Sequence, residues 1–442
     1  MTRMHLHVAI RSGLRWMMIV AVFVFTACSS STKKTNTLRV WHFWGEPAQK
    51  VAFLSLIDEY LKSHPGITIE LTELSWTDGK AKLISAFASG TAPDIVHIGL
   101  EWVQEFAVSG VLRPVDSSLI SSVPQSVRQG VQVSSRYYAV PWVMNTRALF
   151  VRNDVLERYR NQSRSQNLSH TQPFVTTDER DTLLFLSALR AACNTTLPVA
   201  RIGVQSYEPH NVLKKVLPFL WSSGSTVFLS LPFSKSIDTF AIVGLQEYCS
   251  WADGGIIEPS RTLDMRLKRG ELGMWVSGMW NLSDTAITNH YTVLARFPAC
   301  SLSAEDVNSG ASLVSADCFA VNAATSMADD AQKLLRFLQT PQVALRFCAR
   351  IPDAGFPCTE KAIEANDSYA RAVFDRPQAR AFFKQTKASN VLPCPPYFLE
   401  AEEILEQEIC EAVYGKKSPE QALKSAKIRL AALELSQSRS RQ

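Results

Sequence analysis

Residues 38–98, LRVWHFWGEPAQKVAFLSLIDEYLKSHPGITIELTELSWTDGKAKLISAFASGTAPDIVHI, decide the fold class of this chain. Short apolar runs at 38–41, 67–71 and 95–98 have the length of buried strands, and apolar residues recur at helical spacing between them. Strands that alternate with helices over short connections predict a mostly parallel sheet with helices on both faces. We therefore expect an α/β fold whose ligands bind beyond the carboxyl ends of the strands.

The size and charge of the chain limit what it can be. It has 442 residues, with 46 Lys and Arg against 41 Asp and Glu. Because a single core rarely exceeds ~250–300 residues, two large domains or about three smaller ones are expected. The formal net charge of +5 is small for this length and argues against a dedicated nucleic-acid binder.

The first 27 residues have the pattern of an export signal. Three arginines precede an apolar stretch at 17–27, which is shorter than the ~20 residues that span a bilayer. Small residues before Cys28 resemble the cleavage site of bacterial lipoproteins, in which the Cys thiol is acylated. We predict that 1–27 is removed, that Cys28 carries a lipid anchor, and that 28–37 is a flexible tether on the periplasmic or extracellular face of a membrane. Because Phe25 replaces the usual Leu, an ordinary signal peptide cut nearby, or an uncleaved anchor, is the alternative.

The cysteines and the motifs present in the sequence limit the disulfide, metal, cofactor and catalytic chemistry to be expected. Apart from Cys28, eight of the nine cysteines remain, and an even number in an exported protein permits disulfides. Eight cysteines allow 105 pairings, so the pattern is left open, with buried free thiols as the alternative. Motifs for zinc proteases, nucleophilic serine, phosphate loops and dinucleotide binding are absent from the sequence. We therefore expect no metal, no cofactor and no catalysis.

The run FASGTAPDIV at 87–96 resembles the strand entry of the family-1 extracellular solute-binding proteins. These are the sugar receptors of ABC importers, similar to maltose-binding protein. The resemblance continues through FAVSGVLRPVD at 106–116, YAVPW at 138–142, LFVRNDVL at 149–156, GGII at 254–257, GELGMWVSGMW at 270–280 and YGKKSPEQAL at 414–423. It covers about residues 37–435, and the order and spacing of the motifs make it specific. Two departures are Met279, where the family often has Pro, and the number of cysteines.

The resemblance implies a two-lobed periplasmic-binding-protein fold, each lobe a mostly parallel sheet with helices on both faces. Hinge closure of the lobes would bury a carbohydrate ligand, and the closed form would be recognised by an ABC permease and its ATPase. It also implies a monomer. The expected segments are 38–143 and 311–358 for lobe 1, 148–300 and 363–435 for lobe 2, and 144–147, 301–310 and 359–362 for the hinge.

Candidate ligand contacts follow from what a sugar presents. Carboxylates and amides hydrogen-bond its hydroxyl groups, and aromatic rings cover its apolar faces. Some candidates follow the first strand, and others match cleft positions of the family. Trp280 lies in a Gly-x-Trp turn, and in the resembling family the indole of this turn points into the cleft. The ten candidates are Trp280, Glu101, Trp102, Asn145, Trp44, Glu46, His42, Trp142, Tyr397 and Phe356. For each, core packing or helix capping is the alternative.

Three other functions are open at this point. A polyol or glycerol-phosphate receptor would need Arg or Lys in the cleft to pair with phosphate, and the candidate loops show no such cluster. A secreted carbohydrate hydrolase would need two carboxylates ~5–10 Å apart. A receptor-like fold retained for adhesion or sensing would lack a neighbouring importer.

Overall fold

A computed structural model of the chain describes residues 36–165, 186–196, 200–300 and 310–439. The strands are β1 (Thr37–His42), β2 (Thr68–Glu73), β3 (Ile95–Gly99), β4 (Leu112–Arg113), β5 (Gln132–Val133), β6 (Arg136–Tyr137), β7 (Val140–Arg152), β8 (Arg201–Gln205), β9 (Ile256–Glu258), β10 (Leu272–Gly278), β11 (Tyr291–Val293), β12 (Leu313–Asn322), β13 (Phe356–Pro357) and β14 (Asn390–Val391).

The helices are interleaved with these strands along the chain. They are α1 (Pro47–Ser63), α2 (Gly79–Ala88), α3 (Val103–Val108), α4 (Gln125–Gly130), α5 (Asn153–Ser165), α6 (Leu186–Thr195), α7 (Leu213–Ser222), α8 (Phe233–Ser236), α9 (Thr239–Ala252), α10 (Ser260–Lys268), α11 (Thr285–His290), α12 (Ala328–Leu338), α13 (Pro341–Arg350), α14 (Glu360–Ile363), α15 (Ser368–Phe374), α16 (Pro377–Lys387), α17 (Phe398–Val413) and α18 (Pro419–Arg439).

The sheet has the strand order β2-β1-β3-β12-β7-β10-β8-β9. The three strands expected near the N-terminus are present, and β1 pairs in parallel with both β2 and β3. The α/β fold is therefore confirmed. Strand β12 departs from the parallel pattern, because it runs antiparallel between β3 and β7 after a long excursion of the chain.

Strand β7 joins two halves of this sheet. Its first half, through Thr146, pairs with β12, and its second half, from Arg147, pairs with β10. We call the β1–β3 and β12 half the first lobe and the β8–β10 half the second lobe. The change of partner falls within the expected hinge segment 144–147. A single strand shared by both lobes can carry a rotation between them without breaking the chain's hydrogen bonds elsewhere.

The other two expected hinge segments are less defined. Residues 301–309 of the second segment lie outside the described residues. Helix α14 coincides with most of the third segment, 359–362, and both α14 and the following α15 pack on α13 of the first lobe, whereas α16 packs on β7 and β11. The lobe boundaries stay predictions.

The eight cysteines outside the N-terminal region are all free thiols. Six of them are buried, and Cys318 and Cys358 have no exposed surface. They therefore act as small core residues in this structure. Residues 1–27, Cys28 and almost all of the tether lie outside the described residues. Within the described ranges, no helix has both the length and the apolar character needed to cross a membrane.

Candidate functional site

An ion pair between Glu101 and Lys214 connects the two lobes. Glu101 lies in a helical turn directly after β3, at the carboxyl end of that strand, and Lys214 lies on α7. Lys214 Nζ donates to Glu101 Oε1 at 2.7 Å, and Ser315 Oγ on β12 donates to Oε2 at 3.1 Å. The side chains of Glu101 and Lys214 are only 13% and 18% exposed. This is the position at which a sheet of this kind presents its ligands.

The electrostatics of the pair follow from its burial. Desolvation favours the neutral acid, but the nearby Lys214 ammonium and its hydrogen bond outweigh that effect and lower the pKa of Glu101 to about 2. The pKa of Lys214 is raised: burial acts against this shift, and the Glu101 carboxylate outweighs it. Both groups are therefore charged at neutral pH.

A cavity surrounds this ion pair between the lobes. Its free space is about 20 Å³, room for roughly one water molecule, so a sugar would enter only if the lobes move apart. Its walls are mostly apolar, with few polar groups, as is usual for small-molecule sites. The lining residues are Leu100, Glu101, Leu313, Val314 and Ser315 from the first lobe with Leu213, Lys214, Leu217, Leu392, Cys394, Phe398 and Glu402.

Trp280 is held rigidly in a turn that follows β10. A Cβ on Gly278 would lie 2.0 Å from Trp280 Cζ3, so the indole folds directly over a residue that must be glycine. Trp280 Nε1 donates to Asp264 Oδ2 at 2.7 Å. The ring is partly exposed. Both constraints fix its orientation at the edge of the second lobe.

Asp264, on α10, is the acceptor that organises this turn. Its Oδ1 accepts from Trp275 Nε1 at 2.8 Å, from Ser277 Oγ at 2.6 Å and from Asn281 Nδ2 at 3.1 Å. Together with Trp280 it has four donors, three on Oδ1 and one on Oδ2. Asp264 therefore holds the side chains of this turn in place.

Two cations flank the Trp280 ring. The guanidinium carbon of Arg147 lies 4.5 Å from the ring centroid, and Lys215 Nζ lies 5.1 Å from it. Arg147 Nη1 also donates to Asn145 Oδ1 at 3.0 Å, so the candidate Asn145 positions this guanidinium. Burial lowers the pKa of Arg147 to about 10 and that of Lys215 to about 7.

The candidate loops contain no cluster of basic residues, yet the folded chain forms one. Arg147 comes from β7 and Lys214 and Lys215 from α7, far apart in the chain. One pattern could have found Arg147, because residues two apart on a strand share a face and Asn145 was already a candidate. The adjacent lysines in the apolar segment LKKVLPFLWS were the second indication.

Several predicted contacts of the first lobe lie in its core. His42, Trp44, Trp142 and Phe356 have at most 5% of their surface exposed. The Trp44 ring lies between His97 and Phe347, Trp142 Nε1 donates to the Leu338 carbonyl at 2.8 Å, and Phe356 stacks on Phe374. Burial lowers the pKa of His42 to about 4. These four side chains therefore pack in the core, which was the alternative considered above. None of them is among the residues that line the cavity.

The remaining candidates differ in how far their side chains are exposed. Trp102 is buried against Phe43 and Trp76, while Tyr397 is half-buried directly before α17. Glu46 is exposed before α1, and its charge helps to raise the pKa of Asp353, for which burial is the larger cause. Glu46 stays a predicted ligand contact.

Comparison with known proteins finds relatives that match part of this chain. Residues 44–166 match the family described as bacterial extracellular solute-binding protein. A maltotriose-binding protein of Pyrococcus abyssi is 25% identical over 121 residues, which are 26% of each chain. A lipoprotein of Streptomyces antibioticus is 24% identical over 152 residues, 33% of this chain and 34% of its own. The alignments thus span 26% and 34% of the length of these curated relatives.

Solved structures agree over almost the whole chain. The GacH receptor of Streptomyces glaucescens, which was solved unliganded and with acarbose, has a TM-score of 0.72 at 17% identity over 90% of this chain and 98% of its own. The sugar-binding protein MalE of Xanthomonas citri has a TM-score of 0.68 at 19% identity over 90% and 98%. These likenesses show the fold, and with the family match they confirm the resemblance found in the sequence.

Proposed function

We propose, from its likeness to the family-1 extracellular solute-binding proteins, that this chain is the substrate-binding component of an ABC importer. It captures a sugar or sugar-like solute between its lobes and delivers it to a membrane permease. The observation that carries the proposal is the Glu101–Lys214 ion pair, which connects the ligand edge of the first lobe to α7 of the second. Groups that could contact a ligand therefore lie on both sides of one cavity.

Closure would follow from these contacts. A ligand shifts an equilibrium between open and closed forms only if it binds the closed form better, so it must contact both lobes at once. Glu101 and Ser315 on the first lobe and Lys214 and Trp280 on the second supply such contacts. Rotation about the shared strand β7, at 144–147, would bring them together around the ligand. Glu101 would then accept hydrogen bonds from sugar hydroxyl groups.

The same groups do not suit hydrolysis. A glycosidase needs one carboxylic acid that stays protonated and a second carboxylate at a defined distance. Glu101 is kept ionised by Lys214, and Asp264 accepts hydrogen bonds from Trp275, Ser277, Asn281 and Trp280. We therefore propose binding without catalysis.

The partners and location belong to the same proposal. A lipid on Cys28 would keep the receptor beside its permease, in the cell envelope, and the Streptomyces antibioticus relative is itself named a lipoprotein. The receptor would act as a monomer. Genes for a permease and an ATPase beside this one would favour transport over adhesion or sensing.

Thermal unfolding of the purified mature chain tests the function. A panel of mono- and disaccharides, maltodextrins and polyols is added at increasing concentration, and a true ligand at 100 times Kd should add ~2.7 kcal/mol of stability. Lys214→Met should weaken that response, whereas Lys235→Met, an exposed lysine on α8, should not. Release of sugar fragments during incubation, or stabilisation by none of the panel, would contradict the proposal.

A further inference from the structure

Among the residues that the structure describes, two cations beside Trp280 lack a directly bonded anion. Lys215 is 0% exposed, and its Nζ has no hydrogen-bond partner within the described ranges. The hydrogen bonds of Arg147 go to Asn145 Oδ1 and the Thr146 carbonyl, both neutral groups of β7, and its buried Nε has no partner in the same part of the chain. Lys214, the neighbour of Lys215 on α7, is by contrast paired with Glu101.

Most of the carboxylates nearby are already engaged. Asp264 accepts from four donors, three of them on Oδ1, and Glu101 accepts from Lys214 and Ser315. Glu208 Oε2 accepts from Gln205, Asn211 and the backbone N–H of Ser260. Asp317 Oδ1 lies 3.6 Å from His97 Nε2, which is too long for a hydrogen bond. These charges act on Arg147 or Lys215 from a distance, without a direct bond.

A buried cation without a bonded anion is unfavourable, because burial removes its water and nothing replaces it. Such groups are rarely left unpaired unless a ligand supplies the missing charge. Here two of them lie against one fixed indole ring, and the charge of Glu101, which lines the cavity, acts on Arg147. Gly278 packs against the Trp280 ring, and the Arg147 guanidinium lies over this ring. The ring therefore orients the guanidinium.

We infer that the carbohydrate ligand carries an anionic group, a carboxylate or a phosphate ester, and that Lys215 and Arg147 bind this group beside Trp280. This inference rests on the proposed function and names its substrate class. The planar guanidinium can hold either oxyanion through two parallel hydrogen bonds, and the ammonium of Lys215 adds a point charge.

The protonation of Lys215 provides an independent consequence. Without an anion, burial holds its pKa at about 7, with Arg147 and Lys214 acting in the same direction. An anion in direct contact would raise that pKa, so binding at pH 8 should take up protons. A neutral sugar should cause no such uptake.

The test compares matched ligands on matched variants. Glucose, glucuronate and glucose 6-phosphate, and the galactose counterparts, are titrated by calorimetry into the wild type, Lys215→Met and Lys235→Met. We expect the wild type to bind one anionic form at least ~30-fold more tightly than its neutral sugar, the lower end for a buried charge pair. Lys215→Met should lose this preference, and Lys235→Met should retain it. The uronate and phosphate arms show which oxyanion is recognised.

Other outcomes would overturn the inference in distinguishable ways. Equal affinity for neutral and anionic sugars would remove the anionic site and leave the proposed function intact. A preference that survives in Lys215→Met would remove Lys215 from the site. Binding by no sugar, neutral or anionic, would reject the proposed function and the inference together. If Lys215→Met does not fold, Arg147→Gln and calorimetry of the wild type in two buffers at pH 8 decide, since absence of proton uptake contradicts the inference.

Discussion

Single residues in the cleft depend on partners that lie far away in the chain. Glu101 was predicted to contact a ligand, and the structure places it at the edge of a cavity, bonded to Lys214 and Ser315. Its neighbour Gly99 is part of the reason, because a Cβ there would lie 2.9 Å from Glu101 Oε2. The carboxylate can therefore fold back over the strand end, where it meets the second lobe.

The ion pair of Glu101 should be visible in the pH dependence of stability. The pKa of Glu101 falls from 4.5 to about 2 on folding, so the pair stabilises the folded chain above about pH 4.5, and this stabilisation is lost as the pH falls towards 2. At pH 7 Glu101→Gln should lower the free energy of unfolding by on the order of 3 kcal/mol. Urea unfolding between pH 2 and pH 7 should show the gap to wild type closing in that window.

Glu105→Gln serves as the control for Glu101→Gln. Glu105 lies four residues further on and pairs with Lys80, but its side chain is 35% exposed. A surface ion pair contributes about 0–1 kcal/mol, so this variant should lie close to wild type. Equal effects of the two substitutions would show that the connection between the lobes contributes no more than a surface ion pair.

At the scale of elements, α7 and β7 organise the site. Strand β7 carries Asn145 and Arg147 on one face across the change of pairing partner, and α7 carries two adjacent lysines. Successive residues on a helix point in directions about 100° apart, so Lys214 reaches Glu101 while Lys215 turns towards Trp275 and Trp280. One helix therefore supplies both a paired and an unpaired cation.

Substitution of the two lysines should have opposite effects on the ligand-free protein. Lys215 has its pKa lowered to about 7 from 10.5, so its charge destabilises the fold below pH 7, and this penalty disappears as the pH rises to about 10.5. Lys215→Met should therefore raise the free energy of unfolding at pH 6 by on the order of a few kcal/mol, with a gain that shrinks at higher pH. Chemical unfolding at pH 6, 8 and 10 measures this change.

Lys214→Met is the matched comparison on the same helix. It leaves the Glu101 carboxylate buried without its partner, which should lower stability by about 3–5 kcal/mol at pH 7. If both variants changed stability in the same direction, the conclusion that Lys214 is paired and Lys215 is unpaired would be wrong.

At the scale of the whole molecule, the sheet is continuous across both lobes. The order β2-β1-β3-β12-β7-β10-β8-β9 passes through the shared strand, and the cavity lies where the two halves meet. Closure and opening of the cleft would change the pairing geometry around β7 and leave each lobe's core intact. The anchor would hold this two-lobed body near the membrane through a tether of about ten residues, each spanning at most ~3.3–3.6 Å.

The anchor rests on one thiol and can be tested on the full-length chain. Cys28→Ser should abolish metabolic labelling by a fatty acid and release soluble protein from the membrane fraction, because the other cysteines lie in the mature body. Cys249→Ser, in α9, should label as the wild type does. Continued labelling of the Cys28→Ser protein would overturn the lipoprotein prediction.

The sequence predictions were accurate for features that depend on residues close together in the chain, and less accurate for contacts between distant residues. Strand–helix alternation at 38–98 predicted the α/β class from local periodicity, and the family motifs implied the two-lobed fold by resemblance. The aromatic candidates were less certain, because an indole after a strand suits a core as well as a cleft. Trp44 and Trp142 are in the core, and Trp280 is at the edge of the second lobe.

The sequence by itself determined the α/β class, the two-lobed family likeness and the position of Glu101 and Trp280 at strand ends. Only the tertiary structure decided which charges meet. Arg147 on β7 and Lys215 on α7 lie against Trp280, and Lys214 pairs with Glu101, although these residues are far apart in the chain and no local pattern encodes the distances between them. Charge pairing depends on separation and burial, and both are properties of the folded chain.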